Sequence, residues 1–172
     1  MTRRKRLLPH GLLPLSLGPV LGVVLLGGAL QDGPALAVVN ESPSLPRGLY
    51  IRDEGATPER GAVVTVPQPP SVRSYLARLG MPADVRLIKR VAATAGDAVC
   101  SDGRWLLAPG RMVEVRGVDR TGAALPVWRG CRRLAPDERF LLGDTPTSLD
   151  SRYFGPVRTA QIEGVYRETL TW

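Results

Sequence analysis

A chain of 172 residues with 23 basic and 16 acidic side chains, 44% hydrophobic residues, 19 Gly and 16 Pro has the makeup of one globular domain with a short appendage. One His (His10), two Cys (Cys100, Cys131) and two Lys (Lys5, Lys89) against 21 Arg leave no residue set for a Ser-His-Asp triad, a zinc finger or an iron–sulfur site. The formal charge of +7 is not a nucleic-acid footprint, because Arg3, Arg4, Lys5 and Arg6 supply much of it and the remaining basic residues alternate with acids such as Asp53, Glu54, Asp119 and Glu138.

The first element is a targeting segment. Leu12 to Leu30 carries no charge and has membrane length, broken only by Gly, Pro and Ser16. Basic residues before it and none directly after it put the N-terminus in the cytoplasm and the body of the chain across the membrane. Pro14, Pro19 and the Gly residues argue against a buried helix of a soluble protein. Ala35-Leu36-Ala37 has the small-x-small form of a secretory cleavage site, so a cleaved signal competes with a retained anchor; the apolar length favours the anchor. The expected organisation is residues 1–37 as anchor or signal and 38–172 as an exported domain. Outside the cytoplasm Cys100 and Cys131 are expected to form a disulfide, with two buried free thiols as the alternative.

From Val38 onward, short β-prone runs separated by Gly and Pro follow one another: Gly48 to Arg52, Ala62 to Val66, Val85 to Ala92, Ala98 to Cys100, Met112 to Val115, Arg139 to Leu142 and Ile162 to Leu170. The pattern predicts a mainly β domain, a barrel or sandwich. Pro67-Gln68-Pro69-Pro70 interrupts it, and Ser71 to Leu79 reads as a helix with Ser71 at its N-cap.

Lys89 is the only Lys of the body in a chain that otherwise uses Arg. On an extended strand it shares a face with Val85, Leu87 and Val91, while Arg86, Ile88 and Arg90 take the other. Desolvation there disfavours the charged form, and Lys, unlike Arg, can then work as a general base. A snorkelling surface Lys is the alternative. Such a base needs a nucleophile, and Ser44 in Ser42-Pro43-Ser44-Leu45-Pro46 has its backbone restrained by Pro on either side.

Three blocks, Asn40-Glu41-Ser42-Pro43-Ser44-Leu45-Pro46-Arg47-Gly48-Leu49-Tyr50, Leu87-Ile88-Lys89-Arg90-Val91 with Gly96-Asp97, and Gly143-Asp144 with Asp150-Ser151-Arg152-Tyr153-Phe154-Gly155, stand in the order of the type I signal peptidase boxes. They cover most of the body, and the chain resembles the TraF-type, conjugative-transfer signal peptidases in particular. The resemblance implies a signal-peptidase-like β fold with an N-terminal membrane helix and a Ser/Lys dyad, with Ser44 as nucleophile and Lys89 as general base. It implies that the Ser42 hydroxyl joins the Ser44 N–H in an oxyanion hole, where donors contribute about 3 to 4 kcal/mol each. Ser148 matches a Ser that orients the Lys amine, and Asp150 matches an acid that supports the site; a structural Asp/Arg pair in a turn is the alternative for Asp150.

Thr145-Pro146-Thr147 replaces the Asn/Arg/Asp run usual before that Ser, and Gly61-Ala62 stands where Gly-Asp is common, which counts against a general housekeeping role. The short chain and the Cys pair resemble the conjugative branch, and that resemblance implies processing of a pilin precursor, or another membrane-borne precursor, for conjugative transfer or type IV secretion, without metal or cofactor. The expected location is the bacterial inner membrane with the catalytic domain in the periplasm, or the periplasm if cleavage follows Ala37. The alternatives are a general type I signal peptidase and a non-catalytic component of a secretion apparatus.

Overall fold

The computed structural model describes residues 34–172. The expected membrane segment Leu12 to Leu30, with the basic cluster and His10, lies outside the described residues. Among the described residues no helix is long and apolar enough to cross a membrane.

The domain is mainly β. Strands β1 (Ala37–Asn40), β2 (Gly48–Arg52), β3 (Val63–Val66) and β4 (Leu87–Ala93) precede β5 (Ala98–Ser101), β6 (Trp105–Ala108), β7 (Arg111–Glu114) and β8 (Gly130–Arg133). Strands β9 (Glu138–Leu142), β10 (Val157–Arg158) and β11 (Gly164–Thr171) complete the set, with helix α1 (Pro70–Arg78) after β3 and a single turn, α2 (Ser151–Phe154), after β9. A seven-stranded sheet runs β1-β2-β11-β3-β4-β9-β10, and a four-stranded sheet runs β7-β6-β5-β8. Both are antiparallel throughout.

Strands β3 and β4 lie inside the large sheet and are covered on both faces, so every position but Arg90 is buried, Thr65 and Lys89 included. Val64, Val66, Leu87 and Val91 turn into the main core with Phe140, Leu141, Leu142 and Leu106. Val63 and Ile88 turn the other way and pack with Leu45, Tyr50 and Tyr166. The alternation inferred along β4 therefore holds, and Lys89 shares the main-core face. At the start of that run the strand begins two residues later than expected, because Val85 N–H is taken by Pro82 O in a turn.

Four strands were not legible as such: β1, β6, β8 and β10. Strand β8 is Gly-Cys-Arg-Arg, exposed at every position, and carries no hydrophobic alternation. What holds it is its ladder to β5, in which Cys100 stands directly opposite Cys131, and the disulfide between those two. Helix α1 forms where expected, but Ser71 is not its cap. Pro69 occupies that place without a side-chain bond and Pro70 takes the first helical position, where a missing N–H costs nothing. Val72 and Leu76 seat its apolar face in the core.

The folded unit starts at Pro34. Ala35 O accepts from Tyr166 Oη at 2.9 Å, Leu36 O accepts from Arg52 N at 2.9 Å, and Ala37 opens β1 opposite Ile51. The small-x-small triplet is thus built into the sheet.

Candidate active site

Ser44 lies in the turn between β1 and β2, and Lys89 near the middle of β4, 45 residues along the chain. The fold brings them together: Lys89 Nζ and Ser44 Oγ are 2.9 Å apart. Both are buried, at 5% and 4% exposure, so the contact is shielded from bulk water. Lys89 stands opposite Val64 in the ladder and among the apolar side chains of its face. Burial, the largest cause, pulls its ammonium down to about 8; the Asp150 carboxylate opposes this and the Arg152 guanidinium adds to it.

The turn around Ser44 is held from inside. Asn40, the last residue of β1, donates through Nδ2 to the carbonyls of Ser42 (3.0 Å), Leu45 (3.1 Å) and Pro46 (2.9 Å). Its Oδ1 accepts from Ser42 N at 3.1 Å and from Ser42 Oγ at 2.8 Å. Ser42 Oγ is also 2.8 Å from Ser44 Oγ. Tyr50 Oη closes the turn by donating to Pro46 O at 2.7 Å, and burial pushes that phenol up to about 12.

On the opposite side, the loop from Gly143 to Asp150 supplies the wall. Asp144 N donates to Ser44 O at 2.6 Å. Gly143 has no room for a side chain: a Cβ there would collide with the Ser148 side chain and approach Ser44 O to 2.8 Å. Asp150, fully buried, accepts from Gly143 N at 2.9 Å and from Arg152 Nε and Nη2 at 2.8 Å each. Arg152 is 1% exposed and spends its remaining donors on the carbonyls of Glu114, Thr145, Pro146 and Ser148. Asp150 thus forms the structural Asp/Arg pair given as its alternative, and that pair ties down the loop beside Ser44.

Ser148 reaches the same cavity, but its Oγ has no hydrogen-bond partner among the described residues, and the same is true of Thr145 Oγ1. The partner of the Lys89 amine is Ser44 Oγ, not Ser148. The cavity, about 340 Å³, is lined by Ser42, Ser44, Lys89 and Ser148 with an apolar side from Val38 and Ile88. A second cavity of about 440 Å³ lies beyond Pro43, between Tyr75, Arg116 and Leu125, and includes neither Ser44 nor Lys89. The smaller one is where Ser44 and Lys89 meet.

Sequence reasoning gave Asn40 and Gly143 no role of their own and Arg152 only that of a partner to Asp150, although all three stand in the quoted blocks. An Asn two residues before a Ser in a Pro-rich turn is the available signal, since Asn side chains cap backbone N–H groups two residues on.

Residues 15–172 match the family model of signal peptidase, peptidase S26. Two plasmid transfer proteins TraF of Escherichia coli are similar, one 33% identical with all of both chains covered and one 31% identical with 89% of this chain and 91% of the relative covered. A solved signal peptidase I of Enterococcus faecalis is 24% identical, with a TM-score of 0.38, over 64% of this chain and 97% of the other. With the family match spanning the turn of Ser44, the strand of Lys89 and the loop of Asp150, the chain belongs to the S26 signal peptidases, a family of serine peptidases, and is of the TraF type.

Proposed function

We propose that the chain is a membrane-associated serine endopeptidase that uses Ser44 and Lys89 as a catalytic dyad to process a pilin precursor for conjugative transfer. The observation that carries the reading is the 2.9 Å contact between a buried hydroxyl and the only Lys of the domain. Its amine is held near 8, so a working fraction is neutral at physiological pH.

The steps balance with these groups alone. Neutral Lys89 takes the Ser44 proton as Ser44 Oγ bonds to the carbonyl carbon of the scissile peptide, whose π pair moves onto oxygen. The Ser44 N–H, which finds no acceptor among the described residues, and the Ser42 hydroxyl face that oxyanion. The intermediate collapses with cleavage of the C–N bond, and Lys89 returns its proton to the leaving amine. Water, deprotonated by Lys89, then hydrolyses the acyl ester and restores Ser44. A substrate entering the cavity meets the apolar side made by Val38 and Ile88, which suits apolar residues before the cut.

Likeness to plasmid transfer proteins supports a precursor of the transfer apparatus as substrate, and the uncharged Leu12 to Leu30 stretch supports an inner-membrane enzyme working on the periplasmic side. Co-expression with the pilin precursor of its transfer system, read by mass spectrometry of the mature pilin, is the test. Processing that depends on Ser44 and spares generic exported precursors is expected; processing unaffected by Ser44→Ala would refute the reading, and equal cleavage of generic precursors would make the enzyme a housekeeping one.

A further inference from the structure

Four groups stand in a row at hydrogen-bond distance: Asn40 Oδ1 to Ser42 Oγ at 2.8 Å, Ser42 Oγ to Ser44 Oγ at 2.8 Å, and Ser44 Oγ to Lys89 Nζ at 2.9 Å. The orientation of the Asn40 amide is not arbitrary. Its nitrogen faces three carbonyls, which can only accept, and its oxygen faces a backbone N–H, which can only donate. Oδ1 therefore brings no proton to the row, and the first contact uses the single hydroxyl proton of Ser42. The second contact must then use the proton of Ser44, and the third a proton of Lys89. At rest the row is polarised from Lys89 toward Asn40.

General-base chemistry needs the opposite sense at the Lys89 end, with the Ser44 proton turned to the amine lone pair. Once Ser44 turns, the contact between the two serines is kept only if Ser42 gives its proton to Ser44 Oγ and so leaves Asn40. When Ser44 Oγ goes on to bond the acyl carbon, that same Ser42 proton is free to meet the oxyanion.

Resting on the dyad reading above, we propose that Asn40 is a positioning residue that folds the 42–46 turn and holds the Ser42 hydroxyl, so that the row Lys89–Ser44–Ser42–Asn40 reverses direction each time Ser44 is activated. Asn40 is 3% exposed, and every hydrogen bond of its side chain goes to this turn, so its amide acts through Ser42 and the backbone. Swapping its amide for a carboxylate strengthens the acceptor at the far end and favours the resting sense, in which Lys89 is the donor and keeps its proton.

The chain carries only Lys5 and Lys89, so lysine labelled with ¹³C at Cε gives two resonances, and Lys5→Arg assigns them. In the full-length chain in detergent, Asn40→Asp is expected to raise the Lys89 midpoint by about one pH unit, and the rise is expected to vanish when Ser42→Ala is added. A rise of equal size without Ser42 is a through-space field and overturns the proposal, as does no rise at all. Ser42→Ala alone leaves the Asn40 bonds to the Leu45 and Pro46 carbonyls in place, so it reports even if Asn40→Asp does not fold. Cutting the row frees the Ser44 proton for the amine, so the midpoint is expected to fall by about half a pH unit; an unchanged midpoint overturns the proposal. Asp150 and Arg152, the charged groups that act on Lys89, are intact in every variant.

On the pilin precursor, Asn40→Asp is expected to lower kcat about tenfold with KM unchanged, because the polar atoms of its side chain are already spent on the 42–46 turn. Wild-type kcat in Asn40→Asp overturns the proposal. If the wild type shows no cleavage that depends on Ser44, the dyad reading fails, while the lysine titration still decides the row.

Discussion

The backbone N–H of Gly143 donates to Asp150 Oδ2 at 2.9 Å, while the N–H of the next residue, Asp144, donates to Ser44 O at 2.6 Å. A fully buried carboxylate is therefore one residue removed from the backbone of the serine. Asp150→Asn leaves the Arg152 guanidinium buried without its counter-charge, which is expected to cost about 3 to 5 kcal/mol. Because the Asp150 charge holds the Lys89 ammonium up, its loss should also move the acid limb of the pH–rate profile to lower pH. Thermal melting and a pH profile on the folded fraction check the two effects separately.

Lys89→Arg is expected to abolish cleavage in a folded protein, since guanidinium keeps its proton at any workable pH. In the wild type, kcat/KM should rise with pH through a midpoint near the value of about 8 to which burial depresses the amine, because the neutral form is the base. An activity that instead fell over that range would reject the base role.

The same depression bears on stability. Native Lys89 titrates near 8 and the unfolded chain near 10.5, so between these values the unfolded state binds more protons and stability rises with pH. Below that window the folded protein carries the full cost of a buried ammonium. Lys89→Met, inactive, is therefore expected to melt higher than wild type at pH 7, and a lower melting temperature would contradict this account.

Gly143→Ala forces a methyl group against Ser148 and the Ser44 carbonyl. Displacement of that wall is expected to cost about 1 to 3 kcal/mol and most of the activity. The paired variant Gly143→Ala/Ser148→Gly, which removes the Ser148 side chain but leaves the Ser44 carbonyl 2.8 Å from the added methyl group, should recover part of the stability in a denaturant melt.

The Cys100–Cys131 bond spans 31 residues and ties an exposed strand to its neighbour. Its removal as Cys100→Ser/Cys131→Ser is expected to cost about 3 to 4 kcal/mol in the chain-entropy model. Alkylation of unreduced native protein should label neither thiol, and full labelling of both would show that the bond is not formed.

Much of this was legible beforehand for reasons that differ by element. Strand β2 had its bounds written in the sequence, because a Gly opens it and an apolar run fills it. The place of Lys89 followed from period-2 geometry and from the chain's avoidance of Lys. Strand β8 was illegible because cross-links and ladder bonds, not side-chain burial, hold it in place. The contribution of Arg152 was hidden for a related cause: its acceptors are backbone carbonyls of residues 114, 145, 146 and 148, and carbonyls leave no mark in a sequence. The Ser148 hydroxyl shows the opposite limit, where position predicted a contact with the Lys89 amine and the described residues offer its Oγ no partner.

Ala35, Leu36 and Ala37 have the residues a leader-cutting enzyme looks for, yet their carbonyls and ladder partners are already committed to Tyr166, Arg52 and Ile51. A peptidase reads an extended backbone that is free to bond with its cleft, so cutting after Ala37 first requires peeling that segment away from β2. The peel would run toward Asn40, the residue that gathers the turn of Ser44. The chain thus shields its own tempting bond with the strand that arms it, and an enzyme loosened enough to be cut there would already have begun to lose its grip on Ser44.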